Sequence, residues 1–277
     1  MLSHFQVQPL LEARAAGAGT AQTSADLNLS RVEVQVTAAG VHFPTGELVA
    51  WPALEQIAGS ANACFELIDG QPYDIRVFSE TTGWVRSLYP TAGAPSTLVS
   101  GMVMHRVAGV DPIQDTLNKL QAVTPIRGTV LDTCTGLGYT AIEAARTAEH
   151  VLTVELDPAA IEIARRNPWS HALFEDPHIT LQVADIWDVV DDTADGSFSV
   201  VIHDPPTFQF AGELYSGEFY AGLHRVLRPR GRLFHYIGDP DSRSVQSITR
   251  GVIRRLEDAG FHRVARKPRA FGVVAYK

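Results

Sequence analysis

From residue 129 onward the chain repeats one order: a short run of Val, Ile and Leu, then a stretch with apolar residues every three or four positions. The runs are "GTVLDTC", "HVLTVEL", "ITLQVAD", "FSVVIHD" and "GRLFHYIG". Helical spacing marks "YTAIEAARTA", "PAAIEIARRN", "SGEFYAGLHRVL" and "SITRGVIRRLEDAG". Unbroken β-branched runs alternating with helices predict a parallel sheet covered on both faces. The chain then closes on "HRVARKPRAFGVVAYK", two strand-like runs that predict an antiparallel hairpin at the sheet edge.

Upstream the period changes to two. "RVEVQVTAAGVHF" alternates Val32, Val34 and Val36 with polar residues, as a half-buried strand does. Similar runs lie in "ACFELIDGQPYDIRVFSE" and "TGWVRSLYP", broken by Asp-Gly and Thr-Gly turn pairs, and "PALEQIAGS" predicts one short helix between strands. The opening, with "ARAAGAGTAQTSADLN" inside it, is small and polar and predicts a flexible arm. The expected organisation is an arm over residues 1–30, a small antiparallel β-rich domain over 31–103 and an α/β domain over 104–277.

Composition narrows the class. A chain of 277 residues, 45% hydrophobic and 19% charged, can bury a large core. No apolar run approaches the roughly 20 residues of a membrane span. The start, "MLSHFQVQPLLEARAAGAG", lacks the apolar core of a signal peptide, so a cytoplasmic protein with no membrane partner is expected. Cys64 and Cys134 are the only cysteines and their spacing suits neither a disulfide framework nor a zinc site, so no metal is expected. A net charge of −8 speaks against a protein that coats nucleic acid. Residues 250–269 run the other way, with Arg250, Arg254, Arg255, Arg263, Arg266, Lys267 and Arg269 against Glu257 and Asp258. Such a run is ordinarily a solvated face, but it leaves room for RNA as a partner. A homo-oligomer is compatible with all of this.

In a doubly wound sheet the ligand lies beyond the carboxyl ends of the strands. Asp132, Glu155, Asp185 and Asp204 all fall at or beside such ends. One acid there is commonly a helix cap; four in register, each after an apolar run, exceed what capping explains. Gly136 and Gly138 allow a tight turn and close backbone approach to a ligand, and Glu155, about 20 residues past the first strand, can accept both hydroxyls of a ribose. Asp185 in "QVADIWD" is placed to meet an adenine amino group. A nucleoside cofactor is expected, and a dinucleotide would use the same first turn and ribose acid.

"VLDTCTGLGYTAIEAA", "VLTVELDPAAIEIAR", "ITLQVADIWD" and "VVIHDPPTF" resemble, in order and spacing, the successive motifs of class I S-adenosylmethionine (SAM) dependent methyltransferases, over residues 130–277. The resemblance implies a Rossmann-like sheet, with the small β domain before it. It implies that Asp132, Gly136 and Gly138 hold the methionine end of SAM, Glu155 the ribose and Asp185 the adenine. Cys134 departs from the family pattern, standing in the cofactor loop where the first glycine usually does; a small thiol still permits close approach. Asp204-Pro205-Pro206 resembles the Asp-Pro-Pro-aromatic motif of amino-group methyltransferases and so speaks against the dinucleotide. It implies that Asp204 is the catalytic group, orienting a nitrogen acceptor toward the methyl group, with Pro205, Pro206 and Phe208 lining the acceptor site. Thr207 is a departure, pushing the aromatic one place later, and the plainer alternative is two prolines that simply end a strand.

A second resemblance joins the first. "AGELYSGEFYAGLHRVLRPRGRLFHY" is similar to the corresponding segment of spermidine and spermine synthases, which carry a small N-terminal β domain and transfer an aminopropyl group from decarboxylated SAM. The loop "DTCTGLG" is nearer the methyltransferase form than their Gly-Gly-Gly-Asp-Gly. In "SGMVMHRVAGVDPIQDTLNKL", a stretch that in related folds closes over the ligand, His105, Arg106, Asp111 and Asp115 crowd together. His105 is a candidate to bind or deprotonate the acceptor, set against a surface or capping role. His203 and His235 are weighed alike. Tyr215 is a candidate for the acceptor pocket, and Tyr220 for the core. The expected activity is methyl transfer from SAM to a nitrogen of a small amine or nucleobase, with aminopropyl transfer as the alternative and a catalytically silent SAM-binding module as a third case. Methylation at pyrimidine carbon 5 commonly needs a reactive thiolate beside the acceptor, and neither cysteine is near "HDPPTF" in sequence.

Overall fold

The computed structural model describes residues 1–277 and divides them into two compact units. One comprises Met1–Pro112 with Ala159–His171, the other Ile113–Pro158 with Ala172–Lys277. The boundary thus falls at 112/113 rather than 103/104, and the helix Pro158–Arg165 belongs almost wholly to the first unit.

The first unit is built of antiparallel strands, as the period-two patterning requires. Thr20–Thr23, Val32–Val36, Gly40–His42 and Leu48–Ala50 form one sheet in chain order, and Arg76–Phe78, Val85–Tyr89, Ser96–Val99 and Met102–Val103 another. Between them, Phe65–Ile68 pairs with Gln71–Asp74 through Asp69 and Gly70. Both turn residues have positive φ, +52° and +74°, the two-residue hairpin that Asp-Gly favours. Trp51–Ala58 is the short helix, burying Trp51, Leu54 and Ile57.

Residues 1–30 are not an unstructured arm. His4–Ala15 is a helix, and its start is a capping box: Ser3 Oγ accepts from Phe5 N at 3.3 Å, while Gln6 Oε1 accepts from Ser3 N at 2.8 Å. Leu2, Val7 and Leu10 are fully buried among Val34, Val41 and Leu54, and Thr20–Thr23 pairs with Val32–Val36. The Ser-x-x-Gln signature was present, but the alanine- and glycine-rich residues after it diluted the apolar pattern.

The second unit holds a seven-stranded sheet. Its strands are β1 (Thr129–Asp132), β2 (His150–Glu155), β3 (Ile179–Val183), β4 (Phe198–His203), β5 (Leu227–Tyr236), β6 (Arg263–Lys267) and β7 (Gly272–Tyr276). The order is β3-β2-β1-β4-β5-β7-β6, with β7 antiparallel to both neighbours and every other pair parallel. All six residues of the central β4 are buried, which is why "FSVVIH" has no polar alternation. One face is covered by α3 (Ile186–Asp192), α4 (Gly217–Val226) and α5 (Arg243–Asp258), which pack Val189, Val190, Phe219, Leu223, Val252 and Leu256 onto Leu131, Val201, Leu233 and Val273. Each fully buried Leu, Val or Phe of this layer contributes roughly 1.5–3 kcal/mol. Two further helices bear on the site, α1 (Pro112–Val123) before β1 and α2 (Tyr139–Ala145) after it. No helix is long and apolar enough to cross a membrane.

The N-terminal cap is directly testable. Ser3→Ala removes the acceptor for the helix N terminus and should lower unfolding free energy by about 1 kcal/mol, read by urea titration. An unchanged midpoint would show that the Ser3 cap adds nothing to the stability of the fold.

Candidate active site

Strands β1 and β4 are neighbours whose connections leave in opposite directions, to β2 on one side and β5 on the other, so a crevice opens beyond their carboxyl ends. Asp132 ends β1, Glu155 ends β2, and Asp204 follows β4 directly. Asp185 follows β3 by two residues. All four lie in the second unit.

The turn after β1 is tied to β2. Thr135 N donates to Val154 O at 3.0 Å, and Gly138 N closes back on Thr135 O at 2.7 Å. Gly136 and Gly138 have φ of +53° and +78°. A Cβ on Gly138 would lie 2.7 Å from Leu173 Cδ2, whereas one on Gly136 would meet no atom within 4 Å. Gly138 is therefore a packing glycine, and Gly136 leaves the space beside it open. Gly136 N donates to Glu155 Oε2 at 2.9 Å, and Asp157 N donates to Glu155 Oε1 at 3.1 Å. The carboxylate is oriented at both oxygens by backbone. Cys134 has no positive φ, so the position that departs from the glycine pattern needs no glycine here. Its thiol packs partly buried against the core, and burial holds its pKa well above the ordinary cysteine value.

Asp132 is fully buried. Its Oδ2 accepts from Thr153 Oγ1 at 2.7 Å, and Thr140 Oγ1 lies 3.4 Å from both oxygens. Burial, only partly offset by these hydroxyls, raises its pKa to about 7. Asp185 is the N-cap of α3, its Oδ1 accepting from Trp187 N at 2.9 Å, and it is solvent-exposed.

Asp204 brings in a residue that sequence reasoning missed. Its Oδ2 lies 2.6 Å from Lys119 Nζ of α1. Lys119 also pairs with Asp115 Oδ2 at 3.2 Å, and its ammonium stands 4.5 Å from the Tyr236 ring centroid. The signal available was the four-residue spacing of Asp115 and Lys119, which puts them on one helix face. Leu117 on the same helix is 40% exposed.

The loop after Asp204 is fastened from below. Tyr215 Oη donates to Pro206 O at 3.0 Å, His203 Nε2 meets Leu214 O at 3.0 Å, and Arg255 Nε donates to Tyr215 O at 2.7 Å. Tyr215 is 2% exposed, so it supports the loop rather than presenting its hydroxyl as a free pocket group. Pro205 is buried, while Phe208 is exposed, with its ring edge-on to Tyr215 at 5.4 Å. Because a carbonyl only accepts, His203 Nε2 carries the proton and Nδ1 accepts from Thr133 Oγ1 at 2.7 Å. Burial lowers the His203 pKa to about 4, so it is neutral at physiological pH. His235 Nε2 pairs with Tyr220 Oη at 2.8 Å, and burial holds its pKa well below the ordinary histidine value. Both imidazoles are structural posts beneath the loop.

His105 lies in the first unit, where its Nδ1 is 3.0 Å from Ser96 Oγ, and the same Oγ accepts from its backbone N at 3.1 Å. Cys64, in the same unit, is fully buried, and burial pushes its thiol pKa far up, the opposite of a reactive nucleophile. No group of three or more His, Cys, Asp and Glu side chains is gathered to hold a metal ion.

Residues 130–231 match a family described as a methyltransferase domain. An uncharacterised protein of Methanocaldococcus jannaschii is 43% identical over 237 residues, which span 85% of this chain and 80% of that protein; the two are members of one family. A polyamine aminopropyltransferase of Aeropyrum pernix is 32% identical over 91 residues, 31% of this chain and 29% of the enzyme. Among solved structures, the spermidine synthase of Thermotoga maritima superposes with a TM-score of 0.57 at 17% identity, over 80% of this chain and 83% of that one. That last likeness is one of fold.

The raised pKa of Asp132 has a signed consequence. Between about pH 4 and 7 the folded protein keeps a proton that the unfolded chain has lost, so stability falls as pH rises through that window. Asp132→Asn removes the titration and keeps an acceptor for Thr153. Its stability relative to the parent should increase from pH 4 to 7 and level off above, as read by urea unfolding at pH 5 and pH 8. A difference independent of pH would mean that this carboxyl does not titrate there.

Proposed function

We propose that this chain, which belongs to the class I SAM-dependent methyltransferase family, moves the methyl group of SAM to a nitrogen of a small amine or nucleobase held at Asp204-Pro205-Pro206. The observation that carries this is the arrangement along one sheet edge: the open left-handed turn at Gly136, the Glu155 carboxylate fixed by Gly136 N and Asp157 N, and Asp204 at the adjoining strand end. The fit to a nucleoside cofactor is good. A side chain at Gly136 would meet only open space, and Glu155 is preset beside it.

When bound, SAM supplies an electrophilic methyl on a sulfonium. Asp132, Cys134, Gly136 and Gly138 would hold its methionine end, Glu155 the ribose and Asp185 the adenine. Asp204 would accept a hydrogen bond from the acceptor nitrogen and fix its lone pair in line, and such positioning supplies much of the acceleration in a displacement. The Tyr215 hydroxyl on Pro206 O keeps the loop from drifting while that alignment holds. Phe208, exposed at the loop tip, offers a face for a flat acceptor. For a nucleobase acceptor, exposed Arg250, Arg254, Arg263 and Arg266 support RNA as the carrier. The protein's location on this reading is the cytoplasm.

Aminopropyl transfer is the second reading, favoured by the Aeropyrum pernix relative that bears that name. The two differ in cofactor. A methyltransferase uses the methionine carboxylate as a handle, whereas an aminopropyltransferase must accept its absence. Calorimetric titration should find SAM bound more tightly than decarboxylated SAM, followed by tritiated methyl transfer to spermidine, adenosine or bulk tRNA. The reverse preference would transfer the assignment to the alternative.

Glu155→Ala and Asp204→Asn should separate binding from chemistry. Losing charge-assisted bonds to the ribose should weaken SAM at least about tenfold in the first variant. The second should keep SAM affinity and lose transfer, since its carboxylate serves the acceptor. Unchanged SAM affinity in folded Glu155→Ala would falsify the cofactor assignment.

A further inference from the structure

Helix α1 buries two charged side chains along with its apolar Leu120 and Val123. Asp115 and Lys119 are buried, at 0% and 3% side-chain exposure, while Leu117 between them faces outward. Removing an ammonium and a carboxylate from water costs several kcal/mol per ion. Apolar side chains of similar volume would fill the same space without that cost, so packing alone does not account for the pair.

The geometry connects the pair to Asp204. His203 and His235 are register partners on β4 and β5, so Asp204 and Tyr236, the next residue of each strand, emerge side by side. The Lys119 ammonium meets both, at 2.6 Å from Asp204 Oδ2 and 4.5 Å from the Tyr236 ring centroid, with Asp115 behind it at 3.2 Å. Burial works against the charge, but Asp204 and Asp115 outweigh it and hold the Lys119 pKa above the ordinary lysine value. Of the three charged groups only Asp204 reaches solvent, at 19% exposure. Lys119 engages Oδ2, which leaves Oδ1 as the oxygen for an acceptor.

We infer that Lys119 is a positioning residue for Asp204: it clamps Oδ2, turns Oδ1 toward the acceptor, and is held in place by Asp115. The inference deepens the proposed methyl transfer and rests on it for the acceptor's role. Lys119 touches neither substrate nor cofactor in this assignment; it acts through Asp204. Asp115 has a defined part as well. With Lys119 alone, the Asp204 charge would be cancelled, and the second carboxylate leaves the cluster at net −1, so Asp204 keeps its strength as an acceptor.

Three variants test it. Lys119→Arg preserves the cation. Lys119→Met leaves two carboxylates facing each other and is at risk of misfolding, so Lys119→Met/Asp115→Leu removes both buried charges together. In the double variant a crystal structure should show the Asp204 carboxylate displaced from its present rotamer. Calorimetry should find SAM affinity unchanged, and methyl transfer to whichever of spermidine, adenosine or bulk tRNA the parent modifies should fall roughly 10²-fold. Lys119→Arg should recover most of that loss, which a merely structural lysine would not predict. An Asp204 carboxylate that stays in place, or a transfer rate that does not fall, overturns the inference. If the parent methylates none of the three acceptors, the functional assignment fails by itself, and the position of Asp204 in the double variant still decides the role of Lys119.

Discussion

One hydrogen bond, from Gly136 N to Glu155 Oε2, is the contact on which the rest of the site depends. The turn after β1 must reverse direction over the end of a buried strand; Thr133 N and Thr135 N still pair with β4 and β2, whereas Gly136 N lies beyond the reach of either strand's carbonyls and takes a side-chain acceptor. Glu155 reaches across from β2 and satisfies it, which adds a side-chain tie to strand ends already held in register by the backbone ladder. Once that is done, the position of the crevice follows from the sheet order, and Asp204 is delivered to its far wall by β4. A buried sheet has no other place for polar chemistry than the ends of its strands.

The second layer of the site is made of buried rings whose polar atoms are engaged with the loop and with one another. His203, His235, Tyr215 and Tyr220 form a closed set of rings under the Asp204 loop, with His203 and His235 centroids 4.5 Å apart. Burial keeps both imidazoles neutral at physiological pH, and each bonded nitrogen has a fixed partner. Their role is geometric: polar side chains let a loop rich in backbone carbonyls be anchored at Leu214 and Pro206, which an all-apolar underlayer could not do.

The α/β half was legible because its strands are unbroken apolar runs and its helices keep strict spacing; α5, with Val245, Ile248, Val252 and Leu256 inward, is the plainest case. The acids at the strand ends were legible for the same reason, since a buried strand that stops on a charge marks where the crevice lies. Two features were hidden. The helix His4–Ala15 carries its signal in a capping box followed by small residues, so it scarcely registers as an apolar stripe. Lys119 was hidden more thoroughly, because patterning sends lysine outward, and on α1 Lys119 is buried beside Leu120 and Val123 while Leu117 is exposed. Only the partner 85 residues away, Asp204, makes that burial intelligible, and no local window contains it.

The edge of the seven-stranded sheet has a separate consequence for how the molecule behaves among its own copies. β6 ends the sheet, so one side of its backbone lacks a neighbouring strand, and its sequence, "RVARK", is three-fifths cationic. Arg263 lies over the Tyr276 ring at 5.1 Å, and Arg266 points to solvent. Two such edges approaching each other bring like charges together before any ladder can form, which is how natural sheets avoid edge-to-edge growth. The protection is electrostatic and therefore finite in range: at physiological ionic strength it extends about 8 Å, and at molar salt about 3 Å. Concentrated salt thus strips the guard from an edge that dilute buffer keeps solitary.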